Sequence, residues 1–194
     1  PCVALAAATI EARSPGSTLC FLPADHVIEP YEKFQSAVEQ ATKAVENDPS
    51  RFVLFGIPPS YPATGFGYIE RGAGADEMIE GLYRVESFRE KPVQAVAEEY
   101  IESGKFYWNC GIFIWRADAI LDAIAEFEPE MHEHLQKLRP AFGTDQWHNK
   151  LQIQFPLMRS VSIDVAILEK VATEAGGHRA CVIEAPFEWD DLGS

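Results

Sequence analysis

Short apolar runs alternate with segments of helical periodicity at the start of the chain. Residues Val3–Ala12 are rich in alanine and predict a helix, whereas Leu19–Leu22 has the length of a buried strand and is ended by Pro23. Apolar residues recur at helical spacing in Tyr31–Asn47, and Phe52–Phe55 is a second strand of the buried type. This order predicts an α/β fold with a mixed, mostly parallel sheet flanked by helices.

The rest of the chain continues the alternation. Gly67–Glu70 and Tyr83–Glu90 predict a pair of strands, and Val93–Ser103 predicts a helix that Pro92 introduces. The remaining predicted elements are the strands Ile112–Trp115 and Ala180–Glu184 and the helices Ala117–Glu126, Glu130–Leu138 and Ser162–Val171. Because no linker or repeat interrupts this series, residues 1–194 are predicted to form a single domain.

The charge balance restricts the partners. The chain has 30 acidic and 16 basic residues, and its net charge of −14 argues against nucleic acid or a membrane as a partner. Its four cysteines form no C-x-x-C pair, which argues against a zinc site, and as thiols far apart in the sequence they are expected to be free in the reducing cytoplasm. An acidic protein that binds phosphate groups needs a divalent cation and a few well-placed basic residues.

Two polar patches adjoin the predicted strands. In Leu22-Pro23-Ala24-Asp25-His26, Asp25 follows a strand at the kind of edge where α/β proteins bind ligands. Its carboxylate could hold Mg²⁺ or could cap a turn. In Phe88-Arg89-Glu90-Lys91-Pro92, Glu90 could accept hydrogen bonds from sugar hydroxyls and Lys91 could bind a phosphate, although such charge clusters are also common on solvated surfaces.

Four further patches carry candidate residues. Gly67, in Thr64-Gly65-Phe66-Gly67-Tyr68-Ile69, permits either a turn or close approach of a ligand to the backbone. Asn109 could contact sugar hydroxyls or form an Asx turn. Asp164, in Ser162-Ile163-Asp164, could serve a pocket or favour the start of a helix. Asp191, in Trp189-Asp190-Asp191-Leu192-Gly193, could be a metal ligand or part of a solvated acidic segment.

In order and spacing, these motifs resemble those of the sugar-1-phosphate nucleotidyltransferases, and their residues are most similar to those of the mannose-1-phosphate guanylyltransferase branch. The resemblance runs from Pro1 to Ser194, with Phe66 where the family usually has Tyr and Cys110 where it usually has Ser. It implies a Rossmann-like fold of the nucleotide-diphospho-sugar transferase type. It also implies nucleotidyl transfer from GTP to mannose 1-phosphate, which gives GDP-mannose and pyrophosphate.

The resemblance implies a role for each matched residue. Asp25 and Asp191 would bind Mg²⁺, and Asp25 and Lys91 would be catalytic, with Lys91 on the sugar phosphate. The residues implied in binding the substrate are Gly67, Glu90, Lys91, Asn109 and Asp164.

The family's domain begins with a first strand and a Gly-rich basic loop that wraps the triphosphate and helps to read the base. This sequence contains no such loop, so the resemblance implies a domain truncated at its N-terminus that could be inactive alone. An edge strand left open in this way would favour pairing with a second copy as a homodimer.

Other functions stay open. A uridylyl-, adenylyl- or thymidylyltransferase acting on glucose 1-phosphate would share most of these motifs, and a non-catalytic sugar-phosphate-binding subunit would keep them without turnover. A metal-dependent glycosyltransferase of similar fold would prefer an Asp-x-Asp pair, which Asp25-His26-Val27 does not provide.

Overall fold

The computed structural model describes residues 1–173, 177 and 179–193. Its helices are α1 (Cys2–Arg13), α2 (Tyr31–Asn47), α3 (Gln94–Ser103), α4 (Ala117–Phe127), α5 (Pro129–Leu138), α6 (Trp147–Gln154) and α7 (Glu169–Val171). Its strands are β1 (Thr18–Phe21), β2 (His26–Glu29), β3 (Phe52–Ile57), β4 (Tyr68–Gly74), β5 (Leu82–Arg89), β6 (Phe106–Arg116), β7 (Ala180–Glu184) and β8 (Glu188–Asp191). Among the described residues, no helix has both the length and the apolarity needed to cross a bilayer.

Six strands form one mixed sheet in the order β1-β6-β3-β7-β5-β4, and the start of β6 also pairs with β4. The predicted α/β class with a mixed sheet and flanking helices is confirmed. The expectation of a mostly parallel sheet is wrong, because β3–β7 is parallel whereas the other pairings described in this sheet are antiparallel. Strand β6 lies between β1 and β3 and runs against both, so these two strands point the same way without being neighbours.

Both faces of the sheet are buried. Strand β3 shows this most clearly, because Phe52 and Leu54 belong to the core beneath α1, α4 and α5, whereas Val53 and Phe55 pack towards α2. Side chains alternate between the two faces of a strand, so a strand covered on both sides reads as a continuous apolar run. The core therefore fixes the central strands, and the polar patches lie at their ends.

Two short strands were not predicted from the sequence. Strands β2 and β8 form a separate antiparallel pair in which His26 lies opposite Asp191. Their sequences, His-Val-Ile-Glu and Glu-Trp-Asp-Asp, lack the apolar run that marks a buried strand. Strand β6 also begins at Phe106, earlier than the predicted Ile112, so Asn109 lies within the strand.

Candidate active site

Pairing of β2 with β8 brings Asp25 and Asp191 together from opposite ends of the chain. The Leu192 amide donates a hydrogen bond to the Asp25 carbonyl oxygen (3.2 Å), and the Gly193 amide donates to Asp191 Oδ1 (2.8 Å). A Cβ atom on Gly193 would lie only 2.9 Å from Asp25 Oδ2 and 3.2 Å from Asp191 Oδ1. Glycine at this position therefore permits the two carboxylates to converge.

His26 lies beside the carboxylates of Asp25 and Asp191. Its Nε2 atom lies 4.0 Å from Asp25 Oδ1 and 3.9 Å from Asp191 Oδ1. The side chain of Asp25 is 63% exposed and that of Asp191 is 21% exposed, whereas that of His26 is only 9% exposed. Two carboxylates that face solvent in this way suit Mg²⁺, which takes one or two protein carboxylates and completes its octahedron with phosphate oxygens and water.

Glu90 and Lys91 directly follow β5 and form an ion pair, with Lys91 Nζ 3.3 Å from Glu90 Oε1. The backbone of Lys91 has φ +44°, in the left-handed region, which costs about 1–2 kcal/mol for a residue other than glycine. The Glu90 amide donates to Glu169 Oε1 (3.4 Å), which helps to hold this turn. Strain of this kind persists where the surrounding structure enforces a functional geometry.

Gly67 lies against Glu90 and Asn109. The Gly67 carbonyl oxygen accepts a hydrogen bond from the backbone N–H of Asn109 (2.8 Å). A Cβ atom added to Gly67 would lie 2.7 Å from Glu90 Oε2 and 3.5 Å from Asn109 Cβ. In the structure, the group that comes closest to Gly67 is therefore the Glu90 carboxylate.

Replacing Gly67 with Ala should lower the affinity for a sugar phosphate about tenfold, because the new methyl group displaces Glu90 and forfeits roughly one hydrogen bond of about 1.4 kcal/mol. Gly74→Ala is the matched control, since a Cβ there would meet nothing within 4 Å and Gly74 lies at the far end of β4 from Glu90 and Asn109. Calorimetric titration of both variants checks this prediction. Equal affinities for the two variants would contradict it.

Asn109 links the strand to the helical segment that carries Asp164. Asn109 Nδ2 donates to Asp164 Oδ1 (2.9 Å), and Asn109 Oδ1 accepts from the Gly111 amide (3.2 Å). Asp164 opens a π-helical turn, Asp164–Leu168. Burial, and next the negative charge of Glu90, raise the pKa of Asp164 to about 6, while the hydrogen bond from Asn109 opposes this shift.

The raised pKa of Asp164 predicts a pH-dependent stability. The folded chain holds the Asp164 proton more tightly than the unfolded chain, so this residue's contribution to stability falls as pH rises from about 4 to about 6. Asp164→Asn removes that loss and keeps an acceptor for Asn109, so the variant should gain at most about 3 kcal/mol in free energy of unfolding at pH 7.

Urea unfolding at pH 4 and pH 7 tests this expectation. The advantage of Asp164→Asn should shrink towards pH 4, whereas Asp145→Asn, at an exposed position, should show no such trend. An advantage of equal size at both pH values would show that burial of the Asp164 charge is not its cause.

The residues predicted from the sequence border one surface depression. It is lined by Pro23, His26, Gly65, Phe66, Gly67, Glu90, Lys91, Asn109, Cys110, Gly111, Phe113, Asp164, Trp189 and Asp191. Asp25 adjoins it through Asp191 and Gly193. The structure thus brings together all the predicted metal and substrate residues, while the role of each stays a prediction.

Sequence reasoning assigned no role to Glu169, Trp189 or Gly193. Glu169 holds the backbone of Glu90, and Trp189 donates its indole N–H to His26 Nδ1 (2.9 Å). Gly193 and Trp189 belong to the same motif as Asp191, which was the available signal for both. Glu169 lies in the segment after Asp164 that also resembles the family, but its contact with Glu90 depends on the packing of two distant segments.

Sequence comparison places this architecture among known enzymes. The model of the nucleotidyl transferase family matches residues 1–194. The alginate biosynthesis protein AlgA of Pseudomonas aeruginosa is 39% identical over 195 aligned residues, which cover 100% of this chain and 39% of that protein. Mannose-1-phosphate guanylyltransferase of Escherichia coli K12 is 34% identical over 200 residues, which cover 100% of this chain and 40% of that protein.

Solved structures show the same relationship. A mannose-1-phosphate geranyltransferase from Thermus thermophilus superposes with a TM-score of 0.80 at 29% identity, over 97% of this chain and 50% of that one. A mannose-6-phosphate isomerase from Helicobacter pylori gives a TM-score of 0.77 at 25% identity, over 97% of this chain and 69% of that one. The chain thus spans less than half the length of the two curated relatives above. On the full-length family match, this chain belongs to the nucleotidyl transferase family.

Proposed function

We propose that the protein transfers the guanylyl group of GTP to mannose 1-phosphate, giving GDP-mannose and pyrophosphate. The observation that carries this proposal is the convergence of the Asp25–Asp191 carboxylate pair and the Glu90–Lys91 pair on one depression. The relatives support the choice of substrates, because those of Escherichia coli and Klebsiella pneumoniae are named mannose-1-phosphate guanylyltransferases.

Asp25 and Asp191 would hold Mg²⁺ in this reaction. When bound, the ion neutralises charge on the triphosphate and the leaving pyrophosphate. The carboxylate oxygens of the two residues suit this hard cation, and Gly193 keeps space between them. An acidic protein needs such a cation to accept two polyanionic substrates at once.

Lys91 and Glu90 would place the sugar phosphate. Lys91 Nζ is 3.3 Å from Glu90 Oε1, and the Lys91 side chain is 61% exposed, so it can reach a phosphate while Glu90 accepts from a hydroxyl of the same substrate. Asn109 and Asp164 would contact the sugar, and the hydrogen bond from Asn109 Nδ2 to Asp164 Oδ1 fixes the orientation of the Asn109 side-chain amide.

The transfer itself requires no protein nucleophile. An anionic oxygen of mannose 1-phosphate forms a bond to the α-phosphorus of GTP, and the bond from that phosphorus to the bridging oxygen of pyrophosphate breaks in line. Since the attacking oxygen is already deprotonated, no general base is needed. The side chains act by holding the two substrates in line and by offsetting charge that builds up on the transferred group.

An assay of pyrophosphate release by the full-length protein that carries these residues tests the proposal. With GTP and Mg²⁺, kcat/KM for mannose 1-phosphate should exceed that for glucose 1-phosphate by about 100-fold, because the proposed site would hydrogen-bond the sugar hydroxyls directly. Turnover should disappear when the metal is chelated. Preference for glucose 1-phosphate, or for UTP, ATP or dTTP over GTP, would contradict the proposal and favour the related transferases.

A further inference from the structure

His26 is held by a partner that fixes where its ring proton lies. Trp189 Nε1 lies 2.9 Å from His26 Nδ1, and the two rings meet edge to face with centroids 5.2 Å apart. An indole N–H can only donate a hydrogen bond, so Nδ1 must accept it and must carry the lone pair. The ring proton of His26 is therefore on Nε2.

The protonated nitrogen faces the two carboxylates. Nε2 lies 4.0 Å from Asp25 Oδ1 and 3.9 Å from Asp191 Oδ1, and the His26 side chain is almost entirely buried. Pairing of β2 with β8 sets His26 opposite Asp191 and sets Trp189 opposite Ile28, so the same pairing places the ring and its partner. Both separations are longer than a hydrogen bond, so the Nε2–H acts on the two carboxylates through the positive end of its dipole.

We propose that His26 turns its Nε2–H, and not a lone pair, towards Asp25 and Asp191, so that it is not a third metal ligand, and that Trp189 enforces this choice. This inference rests on the proposed Mg²⁺ site. A histidine that bound the metal through Nε2 would need its lone pair on that atom. The proton would then lie on Nδ1 and point at the indole N–H across 2.9 Å, which would set two donors against each other.

The consequence is a site that offers only oxygen ligands. Mg²⁺ and Mn²⁺ are suited to carboxylate, phosphate and water oxygens, whereas imidazole nitrogen favours Zn²⁺ and the later transition metals. Trp189 thus acts on metal selectivity without touching the metal. Its removal would free Nδ1 to carry the proton and would release Nε2 as a ligand.

The ring proton can be observed directly. Long-range ¹H–¹⁵N NMR of the chain distinguishes the two neutral tautomers, and the His26 signal is identified by its loss in His26→Gln. The expected result is a proton on Nε2 in the wild-type chain and a mixture of tautomers in Trp189→Phe. A proton on Nδ1 in the wild-type chain would overturn the inference.

Metal titration supplies the second test. Trp189→Phe should bind Zn²⁺ at least about tenfold more tightly than the wild-type chain, and the double variant Trp189→Phe/His26→Gln should lose this gain. His26→Ala should weaken Mg²⁺ binding about tenfold, the lower end of the usual effect for a residue next to metal ligands, and His26→Gln should restore most of it by offering an N–H. Weaker Zn²⁺ binding in His26→Gln than in the wild-type chain would show that His26 is a ligand and would overturn the inference.

These experiments separate the inference from the function on which it rests. Thermal unfolding confirms that each variant is folded before its affinity is compared. If the wild-type chain binds no Mg²⁺, the proposed function loses its metal site, while the NMR result still decides the His26 tautomer. If Mg²⁺ binds and the proton lies on Nδ1, the function stands and the role given to His26 and Trp189 fails.

Discussion

Asp191→Asn is expected to lower Mg²⁺-dependent nucleotidyl transfer about 1,000-fold. The amide keeps an oxygen that can accept the hydrogen bond from Gly193, so the local backbone should stay in place. It lacks the negative charge that a divalent cation requires. A bound metal contributes several kcal/mol to such a reaction, and about 4 kcal/mol corresponds to this loss. Steady-state pyrophosphate release from the full-length protein measures the effect.

Asp190 provides the matched control for Asp191. Side chains alternate along β8, so Asp190 is exposed on the opposite face while Asp191 is partly buried beside His26. Asp190→Asn should therefore retain turnover, whereas Asp25→Asn should lose it as Asp191→Asn does. Equal losses from Asp190→Asn and Asp191→Asn, or retained turnover in both Asp25→Asn and Asp191→Asn, would refute the metal assignment.

Lys91→Ala is expected to raise KM for mannose 1-phosphate by roughly 30- to 100-fold while changing KM for GTP little. A hydrogen bond to a charged group contributes about 1.5–3 kcal/mol, and Lys91 is the basic residue beside Glu90 at the depression. Alanine and lysine have the same backbone strain at φ +44°. The substitution therefore removes the charge of Lys91 without changing that strain. Initial-rate kinetics with each substrate varied in turn separate the two KM values.

Arg89→Ala controls for the loss of a positive charge near the site. Arg89 is exposed at the end of β5 and does not line the depression. In a protein with net charge −14, any basic residue could attract phosphates over a distance, and that effect would weaken both variants alike. A similar loss in Arg89→Ala, or an equal rise in both KM values for Lys91→Ala, would contradict direct contact between Lys91 and the sugar phosphate.

Periodicity in the sequence predicts the helices and the buried strands well. Helix α2 begins and ends where the apolar spacing of Tyr31–Asn47 indicates, because its alanines and valines must face the sheet. The order of strands in the sheet cannot be predicted in this way. Alternation of helix and strand indicates that β1 and β3 run in the same direction, but only tertiary packing places β6 between them.

The candidate site depends on short polar segments that local patterns describe poorly. Strands β2 and β8 are held by pairing with each other and carry few apolar residues, so only the family resemblance connected Asp25 with Asp191. The left-handed backbone of Lys91 and the contact between Trp189 and His26 are also tertiary features. Propensity argues against a lysine at positive φ, and the surrounding contacts override it.

The most direct test of the account is calorimetric titration of the chain with mannose 1-phosphate and with glucose 1-phosphate in the presence of Mg²⁺. The account predicts tighter binding of mannose 1-phosphate, with that binding weakened in Lys91→Ala and preserved in Arg89→Ala. Equal affinity for the two sugar phosphates, or binding that Lys91→Ala leaves unchanged, would contradict the claim that the depression beside Glu90 and Lys91 is a mannose 1-phosphate site.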